Sequence, residues 1–386
     1  MGHQVSVVTG FPRHNVQWAL PQYRGRLFSE EEMRGMRVLR VAAPSTQGAS
    51  RVLRGLGHLL VAPVFALRAL GLKDVDVVYT VSPPLPMALA AWVVGRRFGA
   101  PFCLGVQDLF PQSAVDLGVM RNPWIIRFFE RMERFAYRKA GAVTVHSDGN
   151  RTHILAHGGR ADRVHALPNW ADTDIIRPAA RQNDFRHSAG LGEQFVVLFA
   201  GTMGWAQGLS VAVEAARLLR DESNLVFLLV GDGTERELLE EQAGRLPNVR
   251  FLPMQPKEKY PEVLAASDAC LVTLRPEVAT PVVPSKLLTI MAAARPVLAS
   301  MPLDGDAPKI IDEAQCGLSV AAGKPDLLAA AVLRLKRDSE AASRMAANGR
   351  RYVETHFSRR ACVARFEHLF KQLAEHTSEL GLSASL

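Results

Sequence analysis

The stretch FVVLFAGTMGWAQGL, from Phe195 to Leu209, carries the clearest fold signal in the chain. An apolar, β-branched run typical of a buried strand leads directly into a turn that contains Gly201, Gly204 and Gly208. A helix is expected to begin near Leu209. Glycine lets a backbone approach a phosphate closely, and the first N–H groups of a helix lack partners within it. The turn is therefore a candidate anion site, although it lacks the Gly-Lys-Ser/Thr ending of a P-loop.

Strands and helices alternate in both directions from this turn. Such alternation predicts parallel strands joined by crossover helices, and hence two doubly wound α/β domains. The strand patterns are VSVVTG near the start, VDVVYTVS (Val75 to Ser82), APFCLGVQD (Ala100 to Asp108), AGAVTVHSD (Ala140 to Asp148), LVFLLVGDG (Leu225 to Gly233), NVRFLPM (Asn248 to Met254), DACLVTL (Asp268 to Leu274) and RPVLAS (Arg295 to Ser300).

A polar segment from Ile175 to Gln194 separates the two sets of strands and contains Pro178. This composition is typical of a domain boundary, so residues 1–178 and 190–357 are the predicted domains. The last helical pattern, residues 358–376, has one apolar stripe and is expected to pack back on the first domain.

Composition is that of a globular protein, with 48% hydrophobic and 22% charged residues among 386. The four cysteines show no Cys-x-x-Cys spacing, which predicts buried, reduced thiols and neither a metal site nor a disulfide framework. The start resembles no signal peptide. The most apolar segment, residues 55–72, is interrupted by His58, Pro63 and Arg68, whereas a transmembrane helix needs about 20 apolar residues.

The net charge of +8 is concentrated in one half, because residues 1–180 hold 22 Lys and Arg against 13 Asp and Glu. A basic half indicates an anionic partner, either nucleic acid, a phosphorylated lipid or an anionic membrane, or simply solvated arginines. No nucleic-acid reader motif is present, so nucleic acid is the least favoured partner. The segment PWIIRFFERMERFAYRKA, residues 123–140, interleaves basic and aromatic residues at helical spacing. It could lie on a membrane surface or cover the sheet.

A second chemistry-bearing stretch is PVVPSKLLTIMAAARPVLAS, from Pro281 to Ser300. It places Lys286 in the first turn of a helix, where the helix dipole disfavours a cation by roughly 0.3–1 kcal/mol. A bound phosphate, with Ser285 as another donor, would reverse that cost. The alternative is a lysine that reaches solvent from a helix capped by Ser285. The turn in VGDGTERELLE, residues 230–240, adds Gly231 and Gly233, either as a second phosphate loop or as an ordinary strand–helix turn.

In the first half, Asp108 follows a predicted strand at its carboxyl end, where open parallel sheets bind ligands. It is a site candidate or a cap for the next helix. Asn169 also follows a strand pattern, and its simplest role is that of a turn former.

Together these motifs resemble those of family 4 glycosyltransferases, over nearly the whole chain. The similar segments are GHQVSVVTG, Asp-Leu-Phe-Pro at 108–111, ALPNWAD, AGTMGWAQGL, LVGDG, PSKLLTIMAAARPVLAS and the terminal helix. The branch resembled is that of fucosamine-type transferases in O-antigen, capsule and colanic-acid assembly. The resemblance implies the GT-B fold, with two Rossmann-like domains facing a cleft and a terminal helix that crosses back to the first.

The resemblance also implies a retaining, metal-independent sugar transfer without a cofactor, from a nucleotide-sugar that is usually UDP-linked. The acceptor would be a polyprenyl-pyrophosphate-linked saccharide at the cytoplasmic face of the plasma membrane. The resemblance assigns catalysis to Asp108 and Lys286, and acceptor binding to Arg13, Asn15 and Asp108. The expected donor-binding residues are Gly201, Met203, Gly204, Gln207, Gly208, Gly231, Gly233, Met254, Pro284, Ser285, Lys286, Leu287 and Thr289.

The chain departs from the family at several positions. The paired glutamates of many members are replaced by Pro281 and Thr289, and the basic pair of the first glycine turn by Thr202 and Gln207. The usual histidine is replaced by Gln107. Members also begin with a strand and a glycine-rich loop upstream of GHQVSVVTG. We therefore expect either a start codon assigned too late or a truncated chain, and favour the former. Two alternatives remain, a nucleotide-sugar 2-epimerase and a non-catalytic nucleotide-sugar-binding or membrane scaffold.

Overall fold

The computed structural model describes residues 2–12, 23–42, 51–116, 118–278 and 283–379, with the backbone alone for 51–59 and 376–379. Two of the predicted acceptor residues, Arg13 and Asn15, lie outside these ranges. Contacts between Cα atoms divide the chain into two units. Unit 1 is Met1–Val145, Arg151–Ala166 and Glu367–Leu386, and unit 2 is His146–Asn150 and Leu167–Phe366.

The elements up to residue 166 build two sheets. One has the order β1-β3-β2, and the other is the parallel sheet β4-β5-β6-β7. The elements are β1 (Ser6–Gly10), β2 (Phe28–Met33), β3 (Met36–Val41), α1 (Arg51–Ala69), β4 (Val78–Ser82), α2 (Met87–Phe98), β5 (Phe102–Val106), α3 (Gln112–Asp116), α4 (Pro123–Lys139), β6 (Ala142–Val145), α5 (Asp148–Ala156) and β7 (Val164–Ala166).

The sequence patterns did not predict the antiparallel β2–β3 hairpin, because FSEEEM is too polar to read as a strand. Arg34 and Gly35 form its two-residue turn with φ angles of 52° and 77°. Positive φ at both turn positions matches the right-handed twist of the flanking strands. Across the hairpin, Arg37 Nε donates to Glu30 Oε1 at 2.6 Å.

Helix α4 has two different halves. Its second half buries Met132, Ala136 and Tyr137 in the core of unit 1, beside β5 and β6. Its first turns remain exposed, and Trp124 keeps 75% and Phe128 51% of their accessible surface. Asn122 caps the helix by accepting hydrogen bonds from the N–H groups of residues 124 and 125. The sheet-covering interpretation therefore holds for the second half only.

Unit 2 is built on one six-stranded sheet, parallel throughout, with the order β10-β9-β8-β11-β12-β13. Its elements are α6 (Asp184–Ser188), β8 (Phe195–Ala200), a 3₁₀ turn at Trp205–Gln207, α7 (Ser210–Leu218), β9 (Leu225–Val230), α8 (Arg236–Ala243), β10 (Val249–Leu252), a 3₁₀ turn at Lys257–Lys259, α9 (Tyr260–Ala265), β11 (Ala269–Thr273), α10 (Ser285–Ala292), β12 (Val297–Met301), α11 (Asp306–Ala314), β13 (Gly317–Ala321), α12 (Pro325–Arg337) and α13 (Ser339–His356).

Strand β8 lies at the point where the strand order reverses, since β9 flanks it on one side and β11 on the other. Its side chains alternate between two cores. Val196 and Leu198 join the cluster under α10, α11 and α13, while Val197 and Phe199 join the cluster under α7 and α12. In open α/β sheets, such a reversal opens a ligand-binding crevice at the carboxyl ends of the strands. The glycine turn after β8 occupies that position.

The last helix, α14 (Arg359–Glu379), begins in unit 2 and ends in unit 1. Its unit 1 residues contact other parts of that unit, with the Phe370 ring 5.6 Å from that of Tyr79 and Glu367 2.9 Å from His3. The predicted α/β class with two Rossmann-like domains is confirmed. All four cysteines are free and buried, as the sequence predicts. Among the described residues, no helix is long and apolar enough to cross a membrane.

Candidate functional site

Two glycine turns of unit 2 interlock through their main chains. The N–H of Met203 donates to the carbonyl of Asp232 at 2.8 Å, and the N–H of Glu235 donates to the carbonyl of Met203 at 3.0 Å. A Cβ on Gly231 would lie 1.9 Å from the Gly201 oxygen, and one on Gly233 2.4 Å from the Met203 oxygen. Only glycine allows the turns to approach this closely.

Lys286, the second residue of α10, reaches this pair of turns. A Cβ on Gly201 would lie 2.5 Å from Lys286 Cε. The lysine side chain therefore fits here only because residue 201 is a glycine. The ammonium nitrogen lies 4.4 Å from the centre of the Phe199 ring. Gly201 and Lys286, which the sequence predicted as site residues from separate motifs, are therefore in contact.

Burial lowers the pKa of Lys286 to about 8, and no neighbouring charge contributes to this shift. The ammonium is still protonated at neutral pH, yet it is largely removed from water, and within the described residues no carboxylate pairs with it. The ring face of Phe199 offers only partial compensation. A half-buried cation beside two glycine turns is suited to bind an anion.

The start of α10 differs from the capped helix considered above. Pro284 occupies the cap position and makes no side-chain hydrogen bond to the helix, while Ser285 is the exposed first residue. The alternative of a helix capped by Ser285 is therefore wrong. Thr289 lies one turn further on, where its hydroxyl donates to the Lys286 carbonyl at 2.9 Å and lies 3.2 Å from the hydroxyl of Tyr260.

The remaining predicted donor residues have different environments. Gly204 begins the 3₁₀ turn that holds the half-buried Gln207, and Gly208 ends it with a φ of 58°. The side chains of Met203 and Leu287 are fully buried in the core. Met254, after β10, is 51% exposed.

Several charged residues around the turns were missed by the sequence interpretation. Arg236 Nη1 donates to the Gly231 carbonyl at 2.5 Å and to the Leu252 carbonyl at 3.2 Å. It thus links the second glycine turn to the end of β10. Arg275 Nη2 donates to Glu235 Oε1 at 2.8 Å. The sequence did offer one signal for Arg275. This residue directly follows a strand pattern, which predicts a position at the carboxyl edge of the sheet.

In unit 1, Asp108 is exposed and follows β5 at its carboxyl end. The N–H of Gln107 donates to the Ser82 carbonyl at 2.8 Å, which joins this loop to the end of β4. Asn169, within unit 2, has its side-chain nitrogen 3.5 Å from His146 Nε2. In the described part of the chain, no group of three or more His, Cys, Asp or Glu is arranged to hold a metal ion.

Comparison with known families matches a different model to each half of the chain. Residues 1–170 match the model of the glycosyl transferase 4-like domain, and residues 194–338 match that of glycosyl transferases group 1. The chain belongs to the group 1 glycosyltransferases of family 4 type. The second match includes both glycine turns and Lys286, so the candidate anion site lies in the group 1 domain of this glycosyltransferase.

Two relatives are similar to this glycosyltransferase over most of its length. WcaI of Escherichia coli K12, whose name assigns it to colanic acid biosynthesis, is 28% identical over 301 residues, covering 75% of this chain and 74% of its own. WbjE of Pseudomonas aeruginosa, named as a glycosyltransferase, is 28% identical over 284 residues, covering 72% and 70%.

Solved structures share the GT-B fold. Sucrose-phosphate synthase from Thermosynechococcus elongatus superposes with a TM-score of 0.73 at 18% identity, over 96% of this chain and 89% of its own. Anabaena HepE in complex with UDP gives a TM-score of 0.64 at 20% identity, over 89% and 86%. At these identities the likeness concerns the fold.

Proposed function

We propose that this glycosyltransferase uses a nucleotide-sugar donor whose diphosphate binds at the two glycine turns and Lys286. The observation that carries the proposal is the half-buried Lys286 ammonium, which forms no ion pair within the described residues and contacts Gly201. A diphosphate supplies the missing negative charge. Ser285, at the exposed start of α10, and the N–H groups of the first glycine turn add further hydrogen-bond donors.

UDP is the proposed nucleotide. HepE, a structural relative, was solved with UDP and with UDP-glucose. The family resemblance in the sequence also favours UDP and transfer with retention of the anomeric configuration. We propose that the exposed Met254, which follows β10 at the same edge of the sheet, contacts the nucleoside part of the donor.

The chemistry assigned to the donor site is stabilisation of the leaving diphosphate. Negative charge grows on the phosphate oxygens as the bond to the sugar breaks, and preorganised cations and N–H groups lower the energy of that state. Lys286 can do this at neutral pH because its pKa of about 8 keeps it protonated. We propose that this cation and the turn amides suffice without a metal ion.

The proposed acceptor is a lipid-linked saccharide at a membrane surface, bound by unit 1. Three features support it: the basic excess of residues 1–180, the exposed Trp124 and Phe128 at the start of α4, and the exposed Asp108 at the end of β5. Aromatic and basic side chains together favour the interface of an anionic membrane. Asp108 is proposed to contact the acceptor hydroxyl and assist its attack.

The test is turnover of a panel of UDP-sugars with undecaprenyl-pyrophosphate-linked saccharides as acceptors, with and without EDTA. We expect UDP release that depends on the acceptor, is unaffected by EDTA and is lost in Lys286→Met. NMR of the product should show the anomeric configuration of the donor. An epimerase would release UDP without an acceptor, and a scaffold would release none, so either result contradicts the proposal.

A further inference from the structure

Arg275 joins three neighbouring loops at the carboxyl edge of the unit 2 sheet. It follows β11 by two residues, and its N–H donates to the carbonyl of Ala206 at 3.0 Å. Its Nε donates to the Trp205 carbonyl at 2.6 Å, and its Nη2 to Glu235 Oε1 at 2.8 Å. One side chain thus connects the turn after β8 to the residue that precedes α8.

Arg275 packs closely against Gly208, Trp205 and Glu235. A Cβ on Gly208 would lie 2.7 Å from Arg275 Cγ, so the glycine that ends the 3₁₀ turn packs directly on the arginine stem. The guanidinium carbon lies 4.7 Å from the centre of the Trp205 ring. Glu235 keeps only 9% of its surface, which makes its ion pair with Arg275 mostly buried.

These contacts use features that distinguish arginine from lysine. The guanidinium donates in two directions in its plane while its central carbon lies over the indole ring, whereas a lysine ammonium is a point charge without a plane. A lysine at this position could keep one of the contacts to Trp205 or Glu235 but not the whole set.

We propose that Arg275 is a positioning residue for the donor site, which holds the Gly204–Gly208 turn against Glu235 and so fixes the shape of the first glycine turn. The inference rests on the proposed function, because it assumes that this turn binds the donor diphosphate. Arg275 acts through the turn and not by contacting the reacting atoms. Without Arg275, the N–H groups of the turn lose their fixed direction. Donor binding must then order them, which lowers the affinity.

The experiment measures binding of UDP, GDP and dTDP by calorimetry to the full chain and its variants. Arg275→Gln should weaken binding of the preferred nucleotide at least tenfold, and Arg275→Lys and Glu235→Gln should each weaken it about threefold. In steady-state assays, the donor KM should rise more than kcat falls. The matched control is Arg250→Gln. Arg250 donates to the carbonyls of Ala189 and Gly190 and to Gln194 at the opposite edge of the sheet.

Arg250→Gln removes a comparable set of loop contacts and should leave nucleotide affinity unchanged. If Arg275→Gln lowers the melting temperature as the control does but binds nucleotide like the wild type, the positioning role is overturned. If Arg275→Gln does not fold, unchanged affinity in both Arg275→Lys and Glu235→Gln overturns it equally. If the wild type binds none of the three nucleotides, the proposed donor site itself fails, which is a distinct result.

Discussion

The ammonium of Lys286 lies 4.4 Å from the centre of the Phe199 ring, on the strand that leads into the first glycine turn. Phe199 belongs to the buried face of β8, so this cation is held against the core of unit 2. Burial of this cation costs stability in the unliganded protein, and the anion proposed to bind here would offset that cost. The first prediction below uses that cost as a signal.

Lys286→Met should stabilise the unliganded protein. The folded-state pKa of about 8 is below the ordinary value of 10.5, so the protonated lysine destabilises the native state at neutral pH. The difference of pKa corresponds to about 3 kcal/mol in the free energy of unfolding. This cost is fully present below pH 8 and fades as the pH rises toward 10.5. Denaturant titrations at pH 7 and pH 10.5 check it, and an equal gain at both values would disprove the charge as its cause.

Gly231→Ala should disrupt the interlocked turns. Gly231 has a φ of 153°, and the new Cβ would lie 1.9 Å from the Gly201 oxygen. We expect a loss of at least about 2 kcal/mol in the free energy of unfolding and a weaker nucleotide affinity. Gly204→Ala is the matched control, because no atom lies within 4 Å of its Cβ position. Equal behaviour of the two variants in denaturant titrations would argue against the interlock.

Asp108→Asn should reduce turnover by on the order of 10²-fold or more while leaving nucleotide affinity unchanged, because general-base assistance needs the carboxylate. Steady-state kinetics and calorimetry separate the two effects. Asp76→Asn is the control, since Asp76 is exposed and precedes β4 at the opposite edge of the same sheet. Wild-type turnover in Asp108→Asn would remove this residue from the site.

Replacement of the exposed arginines on α4 by Gln should weaken binding to vesicles of anionic lipid. Each basic residue near an anionic surface contributes about 1 kcal/mol, so three replacements should lower the partition coefficient by on the order of 10²-fold. Flotation with phosphatidylglycerol vesicles measures it. The residues are Arg127, Arg131 and Arg134.

A control variant removes the same charge from another exposed part of unit 1, and should keep most of the vesicle binding. If both variants lose binding equally, net charge and not the α4 surface is responsible. The control residues are Lys73, Arg96 and Arg97.

The strands that the sequence predicted are those with apolar runs. Strands β5, β8 and β9 appear where their patterns place them, because both faces of each are buried. Strand β2 was missed because its polar side chains pair across a hairpin, and β13 because its half-buried residues form an edge. Edge strands bury too little surface to impose an apolar pattern.

The site residues also differ in how far the sequence could predict them. The glycine turns and Lys286 can be predicted from a few neighbouring residues. The glycines indicate a special backbone conformation, and Lys286 is a cation at the start of a helix. The contacts of Arg275 with Trp205 and Glu235 join loops 70 and 40 residues apart, so no local pattern reveals them. Phe199 reads as an ordinary core residue, and only the fold brings it to Lys286.

The most direct test of the donor site is calorimetric titration of UDP into the wild type, Lys286→Met and the control Lys324→Met, which changes an exposed lysine of the same unit. We predict that the wild type and the control bind UDP alike and that Lys286→Met loses at least about tenfold in affinity, as expected for one charge-assisted hydrogen bond to phosphate. Unchanged binding in Lys286→Met would contradict the assignment of this lysine to the donor diphosphate.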